Sequence, residues 1–155
     1  MKKISLIALG FLFIDQFVKL IVTNTLNVGE GIVVIKNFFT ITLLHNTGAA
    51  FSILKSNTFL LILVSLVALV LIYLFFIRNN ELSNFDIWLY GALIGGILGN
   101  LCDRIFRGYV VDYLDFRLFN FPVFNLADSI IVISVILIII GLMRREKNGV
   151  WGRYR

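Results

Sequence analysis

Four of the nine acidic residues lie in one stretch of the chain, at Asp103, Asp112, Asp115 and Asp128. Two carboxyl groups held close together cannot both ionise cheaply, so they share one proton and one pKa rises. Such a pair contains an acid and a base at once. It can take a proton from a water molecule that attacks a peptide carbonyl, and it can hydrogen-bond the oxygen that becomes an anion. The clustered acids therefore predict carboxylate chemistry.

Other common chemistries fit the chain less well. One histidine, His45, and one cysteine, Cys102, cannot supply the nitrogen and sulfur ligands that zinc prefers. A serine triad would depend entirely on His45, and no G-x-S-x-G motif occurs. We expect no metal and no cofactor. We also expect no nucleic-acid partner, because the net charge of +5 comes largely from short basic flanks instead of a basic face on a soluble module.

Asp128 stands just before a long apolar run, where a carboxylate has several possible roles. Asp128 and Asn125 are both residue types that cap helix N-termini, and capping alone would explain either of them. The positive end of the helix dipole would also favour the ionised form of Asp128. We therefore hypothesise that Asp128 is the more acidic member of a pair.

The other charged residues also have simple structural explanations. Asp103 could form an ordinary surface ion pair with its neighbour Arg104. Asp115 could be a solvated loop residue. Asp15 and Lys19 are one helical turn apart and could neutralise each other. Spacing alone does not choose which acids form a pair.

The elements that must position these residues are membrane helices. The chain is 59% hydrophobic and 15% charged, whereas about a quarter of the residues of a soluble protein are charged. Residues 58–77 carry no charge and match the roughly 20 residues that cross a bilayer as a helix. Three further spans are predicted at about 4–22, 87–101 and 126–143. We expect one integral membrane domain over residues 1–155, a four-helix transmembrane bundle.

Charge asymmetry predicts the orientation of the bundle. Lysines and arginines flank the first span at its start, the second at its end and the fourth at its end, so both termini and the short middle loop should be cytoplasmic. Residues 30–57 are rich in β-branched and aromatic types interrupted by turn formers, which predicts a small β-region on the outer face. Glycines 91, 95 and 99 recur every fourth residue and predict close helix packing.

Four stretches together resemble one protein family: DQFVK from Asp15, NTGAAFSIL from Asn46, GNLCDRIFRGYVVDYL from Gly99, and FNLADS from Phe124. They resemble the lipoprotein signal peptidases of bacteria, also called signal peptidase II. The resemblance runs from the first span to the last and keeps the order of the motifs.

The resemblance implies a fold, an activity and a site. The fold is a membrane bundle of four transmembrane helices with a small extracytoplasmic β-sheet cradle. The activity is that of an aspartyl endopeptidase of the bacterial inner membrane, which removes the signal peptide of a prolipoprotein before a cysteine that carries a diacylglyceryl group. Its partners are that substrate, membrane lipid and inhibitory cyclic peptide antibiotics. The family's catalytic pair corresponds to Asp112 and Asp128, and the residues that bind substrate or support the site correspond to Asp15, Asn46, Gly48, Asn100, Asp103, Arg104 and Asn125.

Two other protein classes stay open on the residues alone. A small transporter or channel subunit could use the same acids for cations, although such proteins more often carry acids near the membrane midplane and an internal repeat. A purely structural bundle could assemble through the glycine stripe. That class leaves the clustered acids unexplained.

Overall fold

The computed structural model describes residues 1–48, 57–78, 81–117 and 121–147, the side chains of the last three excepted. Four long helices and one small sheet make up this part of the chain. The helices are α1 (Lys2–Thr25), α2 (Thr58–Ile72, continued by a π-helical turn over Tyr73–Ile77), α3 (Asn84–Arg107) and α4 (Leu126–Lys147). All four are long and apolar enough to cross a membrane. The predicted fold class, a four-span bundle with a small sheet, is confirmed.

The sheet has three antiparallel strands in the order β1 (Gly31–Ile35), β2 (Phe39–Asn46) and β3 (Val110–Phe116). The first two strands fall in the region where β-structure was predicted, and residues 49–56 of that region lie outside the described residues. The third strand was missed. Its sequence, VVDYLDF, has the β-branched and aromatic residues of a strand, and Asp115 lies in this strand instead of in a loop.

Helix α3 lies at the centre of the bundle and contacts each of the other three helices. Its glycine stripe allows this close approach. A Cβ atom at Gly91 would lie 2.6 Å from a side-chain atom of Ile7, and one at Gly95 would lie 2.7 Å from the carbonyl oxygen of Ala8. The predicted packing role of these glycines is confirmed, and α1 is the partner helix.

Helix α3 ends at Arg107, and the chain turns at Gly108 and continues into β3. Gly108 has φ +79°, a left-handed conformation that ends helices and that other residues adopt only with strain. Strand β3 then pairs with β2, which places Leu44 opposite Asp112 and Asn46 opposite Val110. The sheet therefore brings a carboxylate and an amide to the same end of the bundle as the C-terminal end of α3.

Candidate active site

Asp112 lies on one face of β3 because side chains alternate along a strand. Its neighbours Val111 and Tyr113 point the other way, into a buried cluster with Leu43. The Asp112 side chain is only 2% exposed. Its Oδ2 accepts a hydrogen bond from Nδ2 of Asn46 at 2.8 Å, a contact set by the pairing of β2 with β3.

Asp128 lies in the first turn of α4, and the helix start holds it in place. Its Oδ2 accepts from the backbone N–H of Asn125 at 3.2 Å, while its own N–H donates to Oδ1 of Asn125 at 2.9 Å. This reciprocal arrangement is a capping box with an aspartate in the glutamate position. The capping role considered for both residues is confirmed. Capping uses one carboxylate oxygen, and the other is turned towards α3.

Two buried amides connect the carboxylates. Nδ2 of Asn100 donates to Oδ1 of Asp128 at 2.7 Å. Nδ2 of Asn125 donates to Oδ1 of Asp112, also at 2.7 Å, and to Oδ1 of Asn100 at 3.1 Å. Each acid thus receives an amide N–H, and the two amides contact each other. One continuous hydrogen-bond network joins Asp112 to Asp128.

A buried ionic cluster lies behind this network. The ammonium of Lys19 is 2.8 Å from Oδ2 of Asp15 and 2.8 Å from Oδ2 of Asp103, and all three side chains are fully buried. The predicted Asp15–Lys19 pair is confirmed. Within the described residues, the salt bridges of Asp103 run to Lys19 and Arg107, so the proposed surface pair with its neighbour Arg104 is wrong. Successive helix residues point in directions about 100° apart, which separates Asp103 from Arg104.

Arg104 lies near the carboxylate pair and near the turn that follows β2. Its guanidinium donates to the carbonyl oxygen of Gly48 at 3.4 Å, and the Gly48 N–H donates to Oδ1 of Asn46 at 2.9 Å. Asn46 therefore holds the turn after β2 with its oxygen and Asp112 with its nitrogen. This geometry gives both Gly48 and Asn46 a role in the shape of the site.

A cavity of about 900 Å³ opens beside these groups. Its lining includes both carboxylates together with Asn46, Asn100 and Arg104. Many of the other lining residues are apolar and come from the segment before α4 and from α4 itself: Phe121, Pro122, Val123, Phe124, Ile131, Val132 and Ile133. The cavity can therefore hold a ligand that has both polar and apolar groups.

The electrostatics of the site favour a proton on Asp112. The pKa of the Asp112 carboxyl is raised from 3.8 to about 7, first by burial and then by the nearby charge of Asp128, while hydrogen bonds from Asn46 and Asn125 act in the opposite direction. Near neutral pH this carboxyl is therefore partly protonated. A protonated and an ionised carboxyl side by side can supply an acid and a base.

The structure brings most of the predicted site residues to this cavity. Asp112, Asp128, Asn46, Gly48, Asn100 and Arg104 line it. Asn125 is buried behind the two acids, and Asp15 and Asp103 belong to the ionic cluster one layer further back.

Two residues of the site were missed from the sequence. Lys19 donates to Oδ1 of Asn100 at 3.1 Å, and Gln16 donates to Oδ1 of Asp103 at 3.1 Å. A signal was present, since a lysine inside a predicted span must find partners in the protein interior. Only Asp15 was considered as that partner.

Comparisons with known proteins identify the family of this chain. A family model described as signal peptidase (SPase) II matches residues 7–144. A lipoprotein signal peptidase of Halothermothrix orenii is 44% identical over 148 residues, which cover 94% of this chain and 99% of the relative. A lipoprotein signal peptidase of Staphylococcus haemolyticus is 38% identical over 141 residues, covering 90% of this chain and 89% of the relative.

Solved structures show the same architecture. One, described as a bacterial membrane enzyme, superimposes with a TM-score of 0.87 at 35% identity and covers 96% of this chain and 92% of its own. A second with the same description has a TM-score of 0.81 at 36% identity, with coverage of 92% and 93%. The structural similarity extends over nearly the whole chain. The chain is a multi-pass membrane protein and belongs to the family of lipoprotein signal peptidases, signal peptidase II.

Proposed function

We propose that this protein cleaves the signal peptide from diacylglyceryl-modified prolipoproteins before the lipidated cysteine, with Asp112 and Asp128 activating the attacking water. The observation that carries the proposal is the cavity that is lined both by the two carboxylates and by many apolar side chains. A substrate with a peptide bond next to a lipid group likewise combines polar and apolar parts.

The two acids have different environments and hence different proposed roles. Asp112 is the acid, because burial keeps a proton on its carboxyl near neutral pH. Asp128 is the base, because it accepts hydrogen bonds from the Asn125 N–H and from Asn100 at the positive end of α4. In the reaction Asp128 takes a proton from water as the oxygen attacks the scissile carbonyl. Asp112 hydrogen-bonds the carbonyl oxygen as negative charge develops there, and the pair then returns a proton to the leaving nitrogen.

The remaining groups would orient the substrate. Arg104 lines the cavity, where its guanidinium can bind carbonyl oxygens of the substrate backbone or of the glyceryl esters. The apolar lining residues, Phe121 to Phe124 and Ile131 to Ile133, would contact the acyl chains. Cyclic peptide antibiotics that inhibit the family would compete for this same cavity.

The proposed location is the bacterial cytoplasmic membrane, with both termini in the cytoplasm. Lys2 and Lys3 at the start of α1, Arg78 after α2 and Arg144 near the end of α4 support this orientation. The sheet and the carboxylate pair would then face the extracytoplasmic side. A substrate anchored by its acyl chains in the outer leaflet could reach the cavity by moving within the membrane.

The test is cleavage of a purified diacylglyceryl prolipoprotein in detergent by the wild type and by Asp112→Asn and Asp128→Asn. Each substitution should lower kcat by about 10²-fold or more, because each removes a proton-transferring group. Asp115→Asn is the matched control, since Asp115 lies on the same strand but bonds Thr42 and Arg117 instead of the amide network. Near-normal cleavage by either dyad variant, with folding intact, would refute the two-aspartate assignment.

A further inference from the structure

Lys19 is a fully buried lysine in α1 that the proposed chemistry does not use. Its three N–H groups have three acceptors, namely Asp15, Asp103 and Oδ1 of Asn100. The first two acceptors are carboxylates that form ion pairs with it. The third belongs to the amide that donates to Asp128.

The direction of an amide is fixed by neighbours that can only donate or only accept. An ammonium only donates, so the group of Asn100 that faces Lys19 must be the oxygen. The nitrogen of Asn100 then points at Asp128, to which it donates at 2.7 Å. The second amide is fixed in the same way, because the backbone N–H of Asp128 donates to the oxygen of Asn125 and turns its nitrogen to Asp112.

We propose that Lys19 is a positioning residue of the active site, which holds the Asn100 amide so that its N–H points at the carboxylate of Asp128. The effect of Lys19 on catalysis rests on the proposed function. Its effect on the orientation of the buried Asn100 amide does not depend on that function. Without Lys19, and within the part of the chain that the structure describes, the Asn100 oxygen would accept a hydrogen bond from Nδ2 of Asn125 alone.

The charges around Lys19 decide how the test must be built. Asp15 and Asp103 face it, and Arg107 contacts Asp103 from the partly exposed side. Lys19→Met alone would leave two acids with one nearby cation. Breaking a buried ion pair from one side is strongly destabilising, and the protein could then fail to fold. A double variant, Lys19→Met with Asp15→Asn, removes one positive and one negative charge and keeps the balance of the cluster.

The reference for the double variant is Asp15→Asn alone, in which Lys19 keeps its contacts with Asp103 and Asn100. In the double variant kcat should be at least about tenfold lower than in this reference, which corresponds to loss of one hydrogen bond in a charged network. KM should change little, because Lys19 is not among the residues that line the cavity. A fall in kcat at an unchanged KM separates a positioning role from a loss of substrate binding.

Arg107→Gln is the matched charge control. It removes a cation from the same Asp103 without touching either amide, so kcat and KM should stay near the wild-type values. Equal effects of Arg107→Gln and of the double variant would overturn the proposal, because the role of Lys19 would then be general electrostatics.

A second measurement does not depend on cleavage. In protein with ¹⁵N-labelled asparagine, hydrogen exchange of the Asn100 side-chain amide is followed by NMR, and the signal is assigned by its absence from Asn100→Ala. Exchange should be at least about tenfold faster in the double variant than in Asp15→Asn. Unchanged exchange would overturn the positioning role even if the enzyme cleaves its substrate. A wild type that cleaves no prolipoprotein would overturn the proposed function, and the exchange rates would still decide the role of Lys19.

Discussion

The free energy of unfolding of Asp112→Asn, compared with that of the wild type, should be larger at pH 8 than at pH 5. The reason is the buried carboxyl, whose pKa rises from 3.8 to about 7 in the folded protein. Between these two values the unfolded chain releases its proton while the folded protein keeps it. The free energy of unfolding of the wild type therefore falls as pH rises from about 4 to about 7 and then levels off. Asparagine does not titrate, so the variant lacks this loss.

The magnitude follows from the size of the shift. Each pH unit within the window costs the wild type about 1.4 kcal/mol, and the side chain is buried, so solvent screening is small. From pH 5 to pH 8 the difference between variant and wild type should change by about 2.5 kcal/mol in favour of the variant. Asparagine also turns an N–H towards one of the two amide donors, Asn46 or Asn125, which costs about 1–3 kcal/mol at both pH values.

The assay is thermal unfolding in detergent at pH 5 and pH 8. The difference in midpoint between Asp112→Asn and wild type should rise by about 5 to 10 °C between the two pH values. Asp115→Asn serves as the control, because it removes a carboxylate from the same strand that forms an ion pair with Arg117 at 3.0 Å. It should show no comparable gain at pH 8. A midpoint difference for Asp112→Asn that is the same at both pH values would contradict a buried carboxyl with a raised pKa.

Two further predictions concern packing and capping. Gly95→Ala should destabilise the protein by about 1–3 kcal/mol, because the new Cβ would lie 2.7 Å from the backbone oxygen of Ala8. Gly141→Ala is the control and should be neutral or stabilising, because its Cβ would have nothing within 4 Å. Equal thermal midpoints for the two variants would contradict the α1–α3 packing. Asn125→Ala should lower the stability of the protein by about 1 kcal/mol, because the helix cap is lost, and it should also lower the rate of cleavage. Asn57→Ala removes a cap at the start of α2 and should lower stability alone. Retained cleavage in Asn125→Ala would show that its amide does not support the two carboxylates.

Much of the architecture could be predicted from the sequence because it depends on local composition. Apolar runs of about 20 residues determine helices that cross a bilayer, and glycines four residues apart determine a face that another helix can approach. Asn125 and Asp128 could be recognised as cap residues for the same reason, since a capping box spans only four positions. The third strand could also have been predicted from VVDYLDF, because its β-branched and aromatic residues are local signals as well.

The pairing of charges could not be decided in this way. Asp103 is adjacent to Arg104 in the sequence, yet its carboxylate contacts Lys19, which belongs to another helix. Asn46 of β2 donates to Asp112 of β3, and Asn100 of α3 donates to Asp128 of α4. Each contact joins residues that are far apart in the chain, so it exists only after the helices and the sheet have packed together.

The sequence by itself thus determined the membrane bundle, the residue types available for chemistry and, through its motifs, the family resemblance. The tertiary structure decided which acids share an environment and which are neutralised. Burial and neighbouring charges raise the pKa of Asp112, while Lys19 and Arg107 together balance the charges of Asp15 and Asp103. These three carboxylates are chemically identical in the unfolded chain. Their different roles arise from desolvation, fixed amide dipoles and nearby charge, which depend on three-dimensional distance and not on sequence spacing.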